Sequence, residues 1–141
     1  MNASSSATRI VWLRRLLLAK AVLCFLLWGL PALVGTPAVL APFGLSVPAD
    51  PVFLRLFGSM VIAFGVAYWY AYRDPIANRA IVLVGVVDNG LATLTIVGVA
   101  LTTGITSWFV WVSAALTACF CVGLAALVPP KSGDAARPAA S

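Results

Sequence analysis

The sequence predicts an all-α protein, a transmembrane four-helix bundle with antiparallel, up-down topology, and three observations carry that expectation. First, 62% of its 141 residues are hydrophobic and only 9% are charged, where soluble domains run near ~45–50% and ~25%. A soluble fold could not hide that much apolar surface. Second, four apolar runs each approach the roughly 20 residues that cross a bilayer core of about 30 Å. Third, the charged residues flank these runs, which makes them signals of topology and not a basic face for nucleic acid.

Residues 1–9 are small, polar and aperiodic, as an unstructured tail is. The first helix is expected over 10–35; a signal peptide also starts basic then apolar, but this run is long and carries Lys20, so an uncleaved anchor is expected. Between Pro31 and Pro51 the chain is apolar, yet Pro37, Pro42 and Pro48 deny it a long regular helix. This segment reads as a plain connector whose side chains meet lipid head groups, with a lid over the bundle as the alternative. The second helix, 52–72, starts after Asp50-Pro51, which suit a cap and a first turn. Along it Ser59, Ala63, Ala67 and Ala71 recur at every fourth residue, a small-residue ladder expected to pack against another helix.

Tyr68, Trp69 and Tyr70 close that helix as interface anchors. Arg73-Asp74-Pro75 then ends it, because the residue before proline is pushed out of the α region. Arg79 introduces the third helix, 80–101, and Trp108 and Trp111 open the fourth, 108–128. Pro129-Pro130 stop it, and 129–141 reads as a second unstructured tail. The helices together form one transmembrane domain over 10–128.

Four spans put both termini on one side. Arg9, Arg14, Arg15, Lys20, Arg73, Arg79, Lys131 and Arg137 share that side, and Arg55 alone lies opposite. The positive-inside rule therefore makes the termini cytoplasmic and the location the inner, cytoplasmic membrane. Arg55, Arg73 and Arg79 count with the aromatic residues as interface anchors.

The chain holds no histidine and no glutamate, which removes Ser-His-Asp triads, H-E-x-x-H zinc sites and di-iron Glu-x-x-His sites. Cys119 and Cys121 would stand roughly 200° apart on a helix, unsuited to joint metal binding. No metal, cofactor or catalytic residue is expected, and the inventory argues against an enzyme. The sharpest polar feature is Asp88, about eight residues or roughly 12 Å inside the third helix. It shares a face with Gly85, Ala92 and Thr95, and Leu83, Val87, Leu94 and Leu101 lie opposite. Lys20 enters from the same side at similar depth, so a Lys20–Asp88 pair is expected, either as a structural tie or as a ligand or proton site.

The stretch RLFGSMVIAFGVAYWYAYRDP followed by NRAIVLVGVVDN resembles small bacterial four-span membrane proteins of the DoxX-like and BphX-like group. That resemblance implies a four-helix membrane bundle and no established activity. The expected function is an accessory or scaffolding role through helix contacts. The alternative is a small proton-coupled transporter or ligand carrier using Asp88. Partners would be the lipid bilayer and either further copies of the chain or a larger membrane complex.

Overall fold

In a computed structural model, which describes residues 3–130, the chain is built from helices and the connections between them. The long helix α1 has three parts: Ala3–Leu23, a π-helical stretch Cys24–Gly29, and a last α-helical part Leu30–Val34. It is followed by α2 (Val52–Arg73), α3 (Arg79–Thr103) and α4 (Trp108–Leu127). All four are long and apolar enough to cross a membrane. Residues 3–9, expected as a loose tail, belong to α1; the tail from residue 131 onward lies outside the described residues.

The π-helical stretch has an identifiable cause. Pro31 has no N–H to give to the carbonyl of Leu27, and its ring crowds that carbonyl, so a regular α-helix would be strained there. Widening the preceding turn relieves the crowding, and Leu30 N–H bonds to Phe25 O, five residues back. The helix thus continues past Pro31 and stops at Gly35, whose φ of 56° suits glycine.

The proline-rich connector is more than a tether between helices. Its two short helical pieces, Pro37–Leu40 and Ala41–Phe43, fold back over the bundle, with Leu40 buried. The ring of Phe43 packs on Phe109 and Trp108 at centroid distances of 4.9 and 6.4 Å. The hydroxyl of Ser107 donates to the Phe43 carbonyl at 3.1 Å. This is the cap that the plain-connector expectation missed. At the other end, Asp74 organises the α2–α3 turn: its carboxylate accepts the N–H groups of Ile76 and Ala77, and Asn78 donates to its carbonyl.

The helices pack as two tight pairs, α1 with α2 and α3 with α4. In the first pair the close approach falls on glycines. A Cβ at Gly58 would strike the backbone of Leu33 and the Gly29 carbonyl, and one at Gly65 would lie 3.0 Å from the Phe25 ring. Gly58 and Gly65 are two helical turns apart, so they form one seam. The alanine ladder is only partly on it: Ser59 and Ala63 are exposed, Ala67 is half-buried and Ala71 is buried. The reason is rotational, since Ser59 lies about 100° round the helix from Gly58.

The two pairs join at the end of the bundle that carries the termini. Leu13, Leu17 and Ala21 of α1, Tyr68 and Ala71 of α2, Val82 of α3 and Leu124 of α4 form a solid core there. Tyr68, expected as an interface anchor, is fully buried in it, because Gly85 leaves room for its ring: a Cβ there would lie 2.8 Å from it. Trp69, Tyr70, Trp108 and Trp111 are exposed. Arg79 holds the Pro129 carbonyl, just beyond α4, at 2.7 Å, and Arg14 holds the Arg73 carbonyl at 3.3 Å, a group left over at the end of α2. Toward the loop end, where Arg55 lies exposed, the pairs diverge.

Candidate functional site

Where the pairs diverge they enclose a cavity of about 530 Å³. Every long helix contributes to it: Trp28 from α1, Phe57 and Phe64 from α2, Ala92 and Thr95 from α3, Ser113 from α4. The connector adds Leu45, which makes it a roof as well as a cap. A smaller space of about 70 Å³ beneath Leu40 and Phe43 shares Trp28, Phe57 and Phe109 with the main one. Phe57 and Leu91, 51% and 61% exposed, line the cavity from α2 and α3. Its mouth therefore faces sideways, between those helices.

The walls are apolar and the floor is not. Lys20 is 4% exposed, and its ammonium donates to Asn89 Oδ1 at 2.7 Å. Three rings surround the same nitrogen, those of Trp28, Phe120 and Tyr68, with centroids at 4.9, 5.2 and 5.8 Å. Such a cage offsets the loss of hydration that burial imposes on a cation. Asn89 is oriented for this work, because its amide donates to the Gly85 carbonyl at 2.6 Å and leaves the side-chain oxygen for lysine.

Asp88 stands beside this group, half-buried on the cavity wall. The Tyr68 hydroxyl donates to Asp88 Oδ2 at 3.2 Å. Lys20 and Asp88 are within electrostatic reach of each other, but the expected direct pair does not form: lysine is bonded to Asn89 and aspartate to Tyr68. The helical phase explains the difference. Asn89 is one position on from Asp88 and so turns about 100° toward α1, leaving Asp88 to face the cavity.

Above the floor, Trp28 Nε1 donates to Ser113 Oγ at 3.0 Å, tying α1 to α4. The hydroxyls of Thr93 and Thr117 meet at 2.9 Å and tie α3 to α4. Cys24, Cys119 and Cys121 are all free; Cys24 is buried beside the floor and Cys119 is exposed on the far side of α4.

Sequence reasoning singled out Lys20 and Asp88 and placed Ala92 and Thr95 on the face of Asp88, and all four line the cavity. It missed Asn89, Tyr68 and Trp28. Asn89 was within its reach, since an amide in an apolar helix needs a partner as much as an acid does. Trp28 was not, because the π-helical stretch resets which residues of α1 face inward. No protein-family model, curated protein or solved structure matches this chain.

Proposed function

We propose that this membrane protein binds a small lipophilic molecule, which enters sideways from the bilayer and rests its polar end on the Lys20–Asn89–Tyr68–Asp88 floor. The observation that supports this reading is the combination of a cavity of about 530 Å³ with ionisable groups at membrane depth. Binding sites for small molecules commonly measure about 300–1,000 Å³, with apolar walls and a few convergent polar groups. Ionisable side chains within a membrane are costly and tend to mark ligand or ion pathways. A purely scaffolding protein would be served as well by a core packed from end to end. Membership of the DoxX-like and BphX-like group would imply an architecture and no activity, so the reading rests on the cavity.

A variant keeping Trp28 as its sole tryptophan, reconstituted in lipid nanodiscs, tests it with 2-bromonaphthalene as quencher. Quenching of Trp28 should saturate, quenching of a variant keeping only the lipid-exposed Trp111 should track partitioning into lipid, and Ala92→Phe should abolish saturation. If Trp28 behaves as Trp111 does, the binding reading fails. We place the protein in the cytoplasmic membrane with both termini inside, on the charge asymmetry of its segments. In a background without the native cysteines, a cysteine substituted at Ser46 should react with an impermeant thiol reagent in intact cells and one at Ser4 should not; the reverse pattern would invert the topology.

A further inference from the structure

The floor also says what kind of polar end it receives. We infer that the ligand carries an uncharged hydroxyl on an apolar body, a lipophilic alcohol or phenol, with the hydroxyl donating to Asp88. This inference rests on the binding reading above, and two features of the floor lead to it.

The first is hydrogen-bonding capacity. A carboxylate accepts about four hydrogen bonds, and the protein gives Asp88 the one from Tyr68. The carboxylate lines the cavity, so the arriving group must be a donor. Lys20 is a poor competitor for the ligand, because its ammonium is buried among three rings and bonded to Asn89.

The second is charge. Lys20 and Asp88 are one positive and one negative group within electrostatic reach of each other, both lining this cavity. Their charges cancel, and a ligand bringing a net charge would have to shed its hydration in an apolar chamber with no opposite charge left for it. Entry between Phe57 and Leu91, both exposed at membrane depth, selects for a molecule that already resides in the bilayer.

The test uses four quenchers with one aromatic body: 6-bromo-2-naphthalenemethanol, 2-bromonaphthalene, the 6-bromo-2-naphthylmethyl ammonium and 6-bromo-2-naphthoate. Each is titrated into the wild-type cavity, in the variant keeping only Trp28, in nanodiscs of neutral lipid, with affinity expressed per concentration in the bilayer. The alcohol should bind at least about ten-fold more tightly than the hydrocarbon, the worth of one good hydrogen bond in a dry site. It should also exceed both ions. In Asp88→Asn the floor becomes net positive, so the alcohol should lose most of its advantage and the naphthoate should gain. That ranking among four compounds on the unaltered floor decides the matter even if Asp88→Asn does not fold. Tightest binding of the ammonium or naphthoate, or equal affinity for all four, would overturn the hydroxyl inference and leave the binding reading standing. Failure of every compound to saturate Trp28 would overturn both.

Discussion

The two ends of the bundle are made from the same few residue types and solve opposite problems. At the end that carries the termini, Leu13, Leu17, Val82 and Leu124 have no exposed surface and fill the space between the helix pairs. At the loop end the pairs part, and Phe57, Phe64 and Leu45 line a cavity instead. Hydrophobicity does not distinguish the ends, because lipid solvates an apolar side chain as well as a protein core does. The distinction lies in where backbones can touch. Gly85 accepts the Tyr68 ring, and Gly123 lies against Leu16, both at the packed end. Near the loop end the glycines of closest approach, Gly29 and Gly58, draw α1 to α2 and leave α3 and α4 apart.

The sharpest way to break this comparison is to force α1 and α2 apart. Gly58→Val should be the most damaging substitution, costing about 3 kcal/mol or more, since its neighbour is the immovable backbone of Leu33. Unfolding in detergent followed by circular dichroism would show it, and a loss below that of Ala63→Val would mean the seam is misplaced. Next comes Leu124→Ala, expected to cost about 2–4 kcal/mol through the hole it leaves in the packed core. Val110→Ala, on a cavity wall already lacking neighbours on one side, should cost under about 1 kcal/mol by the same argument. Equal losses would erase the difference between the two ends.

Two further substitutions sharpen the comparison at the floor, where packed end and cavity meet. Asn89→Leu deprives a buried ammonium of its acceptor and should cost about 1–3 kcal/mol. Asp88→Asn keeps the shape and an acceptor for Tyr68 and removes only a through-space attraction to Lys20, and should cost under about 1 kcal/mol, the range for a partly exposed charge pair. The reverse order in thermal unfolding would mean that Asp88, not Asn89, is the structural partner of Lys20. The last effect has the opposite sign. A Cβ at Gly98 meets nothing within 4 Å, so Gly98→Ala should stabilise α3 by about 0.5–1 kcal/mol through lower backbone entropy in the unfolded chain. A loss of stability there would reveal a partner packed on that face.

The spans were legible because the bilayer sets their length and tolerates few charges, so α2, α3 and α4 begin and end within about two residues of the sequence reading. The inward face of α3 was legible too, since Asp88 in an apolar helix has to be hidden. The helix seam was not. Small residues at every fourth position look alike whether they bear on a neighbour or on lipid, and Ser59 and Ala63 lost to Gly58 and Gly65 by one step of rotation. Tyr68 was misread because an aromatic beside Trp69 and Tyr70 fits an interfacial belt, and only Gly85, seventeen positions on in the chain, makes the pocket that buries it. The partner of Lys20 turned on the same one-step difference, between Asp88 and Asn89.

The π-helical stretch of α1 works as a phase shifter. Compared with an uninterrupted α-helix, the wide turn takes up one additional residue, so everything after Gly29 is set back by about 100° relative to everything before Cys24. The early half of α1 is thus phased to present Leu13, Leu17 and Lys20 to the packed end, and the later half is phased independently to lay Gly29 and Leu33 against α2 and bring Trp28 to Ser113. A chain shortened by one residue between Cys24 and Gly29 could wind as plain α-helix and would keep its hydrophobicity and its length as a span. It could not keep both halves in register at once, so the packed core and the cavity wall would compete for the same helix.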